Sequence, residues 1–402
     1  MMSSLLRVRT GTLLVFLMVL AGSAFAQQAP QPMPQPTPLP VPGLVQRPTR
    51  QLPGFTVAAN VGGGWDSNPA WQADPNASIA GYGSASLAKT WSSPLFSLTA
   101  AGRGNASIFE SGVAANRYDY GGSLAAAGQI GARTSLALSL DGDVQHNDQL
   151  FDPLTSGLLL PVVRTKAYSA SADLSRQVGT RSEVGIGGSW ARVLFDSPTL
   201  QDGTSVFATA RANRAVSARG RLTANYNYQT NDYETSGRTH IHTLAGGYDA
   251  TLGLRSRLSF SAGSDARRRG TSATTWSLYL NSTYSWTGQR TAFVVSYRRG
   301  VNPGPGLGED RQLGVFSAGV SATLSQRISL SLSGLHGNNT RGDGSDARYA
   351  IDEASASLRA RLSRDLGLSL QQEYRRQGEV ENIQALADFR ISLQLAYAKA
   401  FR

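Results

Sequence analysis

The chain has 402 residues and no cysteine, which excludes disulfides, thiolate nucleophiles and cysteine-ligated metals. Only 16% of the residues are charged, glycine occurs 43 times, and the mean hydropathy of −0.22 permits half-polar strands but excludes a helical membrane bundle. The formal net charge of +11 is carried almost wholly by arginine, since the only lysines are Lys89, Lys166 and Lys399.

The N-terminus has the three parts of a secretory signal peptide. Two arginines precede the apolar run LLVFLMVLAG at 13–22, and Ala24 and Ala26 form a small-residue cleavage site. The run is too short to span a bilayer. We therefore predict cleavage before Gln27, with residues 1–26 as the signal peptide.

A proline-rich segment follows at residues 27–53. Prolines occupy every second position from Pro30 to Pro42, and each ring fixes φ and removes a backbone donor. This pattern predicts an extended polyproline II spacer in the periplasm. The alternative is a docking segment for a periplasmic partner.

From residue 54 to residue 402 the sequence predicts an all-β fold. Segments of about ten to fourteen residues alternate apolar and polar side chains and are separated by turn residues. We predict about 18 strands, with 16 as the alternative count, at 55–65, 78–89, 95–109, 118–128, 134–146, 164–175, 182–194, 204–215, 221–234, 239–252, 257–268, 274–286, 291–300, 312–324, 328–337, 349–362, 366–376 and 385–401.

Short and long connections alternate along these strands. Short ones include 253–256 and 325–327, and the long ones are 66–76, 147–163, 301–311 and 338–348. Short periplasmic turns and long external loops are typical of a bacterial outer-membrane β-barrel, in which an even strand number places both ends in the periplasm.

The two faces of the strands favour the same transmembrane antiparallel β-barrel. WSLYLNSTYSW (276–286) carries Trp276, Leu278, Leu280 and Trp286 on one face, with aromatic residues at both ends as in interfacial girdles. A soluble solenoid or sandwich would pack one face with large aliphatic residues, whereas here that face is rich in alanine and glycine. We therefore expect lipid outside, water inside and a location in the bacterial outer membrane.

Charged residues recur on the other face. We predict that a balanced set lines the pore: Arg103, Asp141, Asp143, Arg211, Asp249, Asp265, Arg267, Glu353, Arg359, Glu373, Arg375, Asp388 and Arg390. These charges could produce a transverse field for solutes, or form ion pairs that stiffen the wall.

Most of the excess positive charge falls near the short turns. The rim arginines are Arg133, Arg176, Arg181, Arg219, Arg221, Arg255, Arg257, Arg290, Arg327 and Arg364, opposed only by Glu183 and Asp365. Such a rim favours anionic phospholipids of the inner leaflet, with ordinary turn solvation as the alternative. A ring of turns is not a continuous basic groove with interleaved aromatics, so no nucleic-acid binding is expected.

Two motifs could in principle carry chemistry. His240 and His242 share one strand face but lack a clear third metal ligand, so we expect no metal or other cofactor. Asp141 and Asp143 form a carboxylate pair, but a watery pore offers little of the desolvation that separates catalytic pKa values. Arg-Gly-Asp at 341–343 means little alone. We expect no enzyme.

The first strand and loop, VAANVGGGWDSNPAW (57–71), resemble a family of outer-membrane β-barrel porins associated with exopolysaccharide production and export. Asp66-Ser67-Asn68-Pro69 carries the match, after glycines 62–64. The resemblance implies a barrel along 54–402 and supplies no catalytic residues. Asp and Asn before Pro are also good turn formers, so the loop needs no functional reason.

The last strand resembles the C-terminal signal through which the barrel assembly machinery recognises its substrates, although Arg402 follows the terminal aromatic Phe401. Three functions stay open. One is an aqueous channel for small hydrophilic solutes, and another is an exit pore for a polysaccharide. The third is a non-conducting scaffold, if the apolar loop 147–163 folds inward as a plug.

Overall fold

The computed structural model describes residues 54–71, 75–110, 112–146, 162–234, 237–304, 308–341, 348–378 and 385–401. The signal peptide and proline-rich spacer predicted from the sequence lie outside these residues. The strands are β1 Gly54–Asp66, β2 Ser78–Ser92, β3 Phe96–Phe109, β4 Arg117–Gly131, β5 Thr134–His146, β6 Arg164–Gln177, β7 Ser182–Phe195, β8 Gly203–Ala215, β9 Gly220–Tyr233, β10 Gly237–Thr251, β11 Ser256–Arg269, β12 Thr275–Thr287, β13 Thr291–Gly304, β14 Glu309–Thr323, β15 Ile328–Arg341, β16 Arg348–Arg361, β17 Leu366–Gln377 and β18 Leu386–Phe401.

The strands form one closed antiparallel ring. Each strand pairs with its neighbours in the chain, and β1 also pairs with β18 from Phe55↔Phe401 to Asp66↔Arg390. Closure satisfies the backbone groups that an open sheet would leave at its edges. The predicted count of eighteen strands and the barrel class are therefore confirmed. No helix in the described part of the chain is long and apolar enough to cross a bilayer.

Short and long connections lie at opposite ends of the ring. Turns such as 93–95 and 252–255 share one end with Gly54 and Phe401, and the long loops share the other. The sequence overestimated two of these loops. In place of 301–311, β13 continues to Gly304 and β14 begins at Glu309, and in place of 338–348 only 342–347 connects β15 to β16. Proline and glycine there favour turns locally, but the hairpin ladders continue through them.

The outward face of the ring is apolar. On β5, Leu138 and Leu140 point outward and are 44% and 54% exposed, and Trp276 on β12 is 70% exposed. Aromatic pairs lie at both ends of the seam between β1 and β18: the ring centroids of Phe55 and Phe401 are 6.2 Å apart. Those of Trp65 and Phe389 are 5.9 Å apart.

A bilayer accounts for this surface. Large hydrophobic side chains on the outward face remain exposed along the described strands, so no second layer of protein covers this aliphatic band. A closed barrel with an apolar outside and aromatic residues at both borders is an outer-membrane barrel. The protein resides in the bacterial outer membrane, with its short turns toward the periplasm.

The inward face changes character along the barrel axis. On β10, Thr239, Ile241 and Thr243 are buried at the loop end, whereas Asp249 near the turn end is partly exposed. On β18, Asp388 is buried and Ala398 is exposed. The lumen is therefore open toward the periplasm and covered by protein toward the extracellular side.

Candidate functional site

The strand register places all thirteen residues of the predicted lining on the inward face. They alternate with the outward apolar residues along every ladder. Five of them, on β16, β17 and β18, meet in one group near the extracellular end: Glu353, Glu373, Arg375, Asp388 and Arg390. The other eight lie elsewhere around the wall.

Arg390 joins the last strand to the first through ionic contacts. Its Nε lies 2.9 Å from Oδ2 of Asp66, which is fully buried, and its Nη2 lies 3.7 Å from Oδ2 of Asp388. Beside it, Arg375 pairs with Glu373, and its Nε lies 3.6 Å from Oε2 of Glu353. The group therefore holds the β1–β18 seam together at its extracellular end. Sequence reasoning missed Asp66 as a member.

The Asp-Ser-Asn-Pro loop folds over this group. Asp66 Oδ1 accepts the backbone N–H of Asn68 at 3.0 Å, which is the turn that the sequence predicted. Asn68 also donates its side-chain amide to the carbonyl of Ala387 at 3.0 Å, and Arg117 donates to the carbonyl of Pro69.

Trp71 completes the loop. Its side chain is buried against Leu386, and the guanidinium of Arg375 lies 5.4 Å from its ring centroid. Val162, at the end of the predicted plug loop 147–163, packs against the same cluster. Residues 147–161 lie outside the described part of the chain, so an inward plug there stays a prediction. We call residues 66–71 the seam loop.

Two glycines before the seam loop lie where β1 approaches β18 most closely. A Cβ at Gly64 would lie 2.8 Å from both Cα and Cβ of Ser392, and one at Gly62 would lie 2.9 Å from Cα of Gln394. Gly63 points outward, where a Cβ would be 3.5 Å from the nearest atom, the carbonyl oxygen of Ala80. Glycine is therefore required at 62 and 64 for seam closure, and not at 63.

We expect Gly64→Val to prevent closure of the seam, because the backbone of β18 cannot move away without breaking its ladder. The refolded protein should lose most of the compact, heat-modifiable band on gel electrophoresis. Gly63→Val is the matched control and should retain that band, since valine there faces lipid. Equal folding of the two variants would contradict the close approach.

A second element covers the lumen on the opposite side. The ladder between β12 and β13 stops at Leu280↔Arg299, whereas the ladder between β13 and β14 continues to Gly304↔Glu309. Beyond residue 299, the β13–β14 pair therefore leaves the barrel wall. The N–H of Val301 donates to Oδ2 of Asp265 on β11 at 3.1 Å, which shows that the pair leans inward. We call residues 300–304 and 308–311 the inward hairpin.

Asp310 anchors the inward hairpin to distant strands. Its Oδ1 accepts from the amide of Asn231 at 2.6 Å and from the hydroxyl of Tyr233 at 2.9 Å, and its carbonyl accepts from Arg267 at 3.0 Å. β9 and β14 are five places apart in the ring, about 24 Å along the wall at the usual strand spacing. Direct contact is therefore possible only because the hairpin crosses the lumen.

Elsewhere in the lumen, the charged residues pair along the wall. Arg103 and Asp143 lie 2.7 Å apart, as Nη2 and Oδ2. Nη2 of Arg211 lies 2.6 Å from Oδ1 of Asp173. Each pair joins strands that are two places apart in the ring, so it stiffens the wall, and it does not reach across the opening.

Arg221 and Asp249 form a third wall pair at 2.8 Å. Arg221 lies at the turn end of β9, as predicted for a rim arginine, and faces inward opposite Asp249 in the β9–β10 ladder. Two further inward residues carry no such pair in the contacts of the described chain: Asp141 accepts from Ser169 at 3.4 Å, and Arg359 lies opposite Ser369.

The histidine pair lies on the lipid-facing side. His242 and His240 bond through Nδ1 to the hydroxyls of Tyr226 at 2.9 Å and Tyr228 at 2.8 Å. Within the ranges that the structure describes, no three His, Asp or Glu side chains are grouped as metal ligands. Most of Arg-Gly-Asp at 341–343 lies outside those ranges.

Most of the rim arginines occupy the short turns as predicted. Arg133, Arg181, Arg219, Arg255 and Arg327 each end a turn and are exposed. Each of their backbone carbonyls accepts the N–H of the last residue of the second strand after the turn. For example, the N–H of Ala215 donates to the carbonyl of Arg181 at 2.8 Å. The turn backbone is thus fixed while the side chains remain free for solvent or headgroups. A preference for anionic phospholipids stays a prediction.

Comparison with protein-family models finds no match, and no curated protein is similar in sequence. Among solved structures, OccAB4 of Acinetobacter baumannii is 11% identical with a TM-score of 0.48, over 88% of this chain and 99% of that one. OpdL of Pseudomonas aeruginosa is 12% identical with a TM-score of 0.47, over 86% and 98%. The siderophore receptor PirA of P. aeruginosa is 11% identical with a TM-score of 0.46, over 88% and 81%.

Proposed function

We propose that the protein is a channel for small hydrophilic solutes, wide at its periplasmic mouth and narrowed on the extracellular side by the seam loop and the inward hairpin. The burial gradient along the inward face carries this proposal: polar side chains are exposed near the turns and covered near the loops. A ring of 18 strands is wide enough to leave an aqueous path unless loops fill it completely.

The thirteen inward residues are the proposed lining of this path. They comprise six arginines and seven carboxylates, and several of them are paired along the wall. A nearly neutral wall suits solutes recognised by size and hydration more than by charge. We assign the stiffening of the barrel to the wall pairs, and the narrowing of the path to the seam loop and the inward hairpin.

Planar-bilayer recording tests the channel directly. Purified full-length protein should insert as discrete, equal conductance steps in symmetric potassium chloride. Protein whose barrel is kept from closing by Gly64→Val serves as the control and should give no such steps. A folded native barrel that stays silent, both alone and with the inward hairpin removed, would contradict the proposal.

That silent outcome would favour the second candidate, a non-conducting outer-membrane scaffold. Its supporting observation is the packing of Trp71, Leu386 and Val162 together at the covered end. Deletion of residues 147–161 separates the two candidates. A scaffold plugged by this loop should become conducting on its removal, whereas the proposed channel should conduct with the loop in place.

Polysaccharide export is the finer form of the channel proposal. It rests on the resemblance carried by residues 66–69, with the proline-rich segment 27–53 reaching a periplasmic partner and the C-terminal strand recognised by the assembly machinery. Deleting the gene should then abolish secreted polysaccharide while intracellular synthesis continues. Unchanged secretion would leave the small-solute channel as the function.

A further inference from the structure

One sector of the outward face departs from the apolar pattern. On β4, β6 and β7, near the extracellular border, the outward side chains are Tyr118, Tyr120, Arg164, Lys166, Tyr168 and Arg192, all exposed. We call these six residues the basic–tyrosine patch. Cations on the lipid-facing surface are costly unless a headgroup meets them.

The height of the patch follows from β6. Upward from the periplasm, its outward residues are Arg176, Leu174, Ala172, Ala170, Tyr168, Lys166 and Arg164. Ten residues separate Arg176 from Lys166, which for a strand tilted by about 40° is roughly 25 Å along the membrane normal. This equals the height of the apolar band, so Lys166 and Arg164 lie at the level of the outer-leaflet headgroups.

The register brings the three cations together. Lys166 lies opposite Leu194 on β7, and Arg192 is two residues from Leu194. Lys166 and Arg192 are therefore diagonal neighbours, with their Cα atoms about 7 Å apart. Arg164 is two residues from Lys166 on the same face of β6. The three cations therefore lie along two neighbouring strands, with Lys166 between Arg164 and Arg192.

Neighbouring strands contact two residues of the patch, Arg164 and Tyr168. The guanidinium of Arg164 reaches over β5 to the hydroxyl of Tyr120 at 3.5 Å. Gly142 lies opposite Tyr168 in the β5–β6 ladder, where a Cβ would have only the Tyr168 ring within 4 Å, at 3.6 Å. The Tyr168 ring therefore lies over Gly142, and the exposed side chains of Leu124 and Leu140 form an apolar surface beneath the patch.

The charge of the patch is not neutralised by the protein that the structure describes. Elsewhere at this border an outward cation meets a carboxylate: Arg238 lies 2.7 Å from Asp232. In the described ranges no ion pair joins a carboxylate to Arg164, Lys166 or Arg192. The nearest acid in the ladder is Asp196, whose backbone N–H bonds to the carbonyl of Arg164.

We propose that the basic–tyrosine patch is a binding site for a phosphorylated glycolipid of the outer leaflet. The three cations contact the lipid phosphates, the tyrosine hydroxyls contact the sugar, and one acyl chain lies against the exposed Leu124 and Leu140. Charge complementarity and the position directly above exposed aliphatic residues select a lipid over a soluble anion, which would not contact the apolar surface. The inference holds whether or not the lumen conducts.

The test compares two triple variants of the full-length barrel in the same lipid. Arg164→Gln, Lys166→Gln and Arg192→Gln together remove the patch charge. Arg133→Gln, Arg176→Gln and Arg181→Gln remove the same charge from the periplasmic end of the same sector. Heat-modifiable migration confirms that both variants fold.

Diphosphoryl lipid A in nanodiscs is the probe, with retained lipid counted by native mass spectrometry. The native barrel and the periplasmic-end variant should retain lipid A, and the patch variant should bind it roughly tenfold to a hundredfold more weakly. Lipid A without phosphates should be retained poorly by all three, and millimolar inorganic phosphate should not displace the diphosphoryl form.

Three results would overturn the proposal. They are equal retention by the patch variant and the native barrel, equal retention of lipid A with and without phosphates, or displacement by inorganic phosphate alone. Loss of a barrel dimer in the patch variant, with lipid retention unchanged, would assign the patch to contact between copies of the chain instead.

Discussion

Removal of the inward hairpin should increase the single-channel conductance roughly two- to fivefold, because conductance follows the open cross-section at the narrowest point. Val301 and Gln312 are paired in the ladder, so an Asn-Gly turn can join them directly and replace residues 302–311. The variant loses the crossing contacts of Asp310 and leaves the barrel wall intact. Step size in planar bilayers measures the effect.

A matched deletion controls for general loosening of the loops. Residues 271–273 are the exposed middle of the 270–274 connection between β11 and β12. Their removal should leave the step size within the scatter of the native protein. Equal conductance of all three proteins would show that the inward hairpin does not narrow the path, and would contradict its assigned role.

Loss of Arg390 should cause the largest loss of stability among the lining residues. Arg390→Ala leaves the buried carboxylates of Asp66 and Asp388 without their cation, which typically costs about 3–5 kcal/mol. Urea unfolding in lipid vesicles, followed by tryptophan fluorescence, should show this as a large fall in midpoint. Adding Asp66→Asn should recover part of the loss, because one stranded charge is removed.

Arg103→Ala is the comparison for Arg390→Ala. Arg103 also forms an ion pair, but its side chain is 42% exposed. Water can replace the contact with Asp143, so the free energy of unfolding should fall by less than about 1 kcal/mol. If Arg390→Ala and Arg103→Ala lost equal stability, the contact between Arg390 and Asp66 would have no special role in closing the barrel.

The barrel could be predicted from sequence because each strand repeats a local signal. On β12, Trp276, Leu278 and Trp286 are separated by even numbers of residues. Because side chains alternate between the two faces of a strand, this spacing alone assigns all three to one face. Turn residues fix where each strand ends to within a few positions. The strand count and the inward position of the charged residues follow from these local patterns.

The narrowing of the lumen could not be predicted, because distant residues determine it. Asn231 and Asp310 are 79 residues apart, and Asp66 and Arg390 are 324 residues apart. In the sequence, Pro303 and Gly304 indicate a loop, and Asp66 indicates a turn. The turn at Asp66 is present, but its carboxylate also closes the barrel, and no local signal predicts that second role.

Spin labels along β5 test most directly whether lipid lies outside and water inside. The chain has no cysteine, so single cysteines at Leu136, Ala137, Leu138, Ser139 and Leu140 can be labelled without background. Labels at the three leucine positions should collide mainly with dissolved oxygen, and labels at Ala137 and Ser139 mainly with a water-soluble nickel chelate. Uniform accessibility, or chelate access at the leucine positions, would contradict a lipid-facing apolar surface.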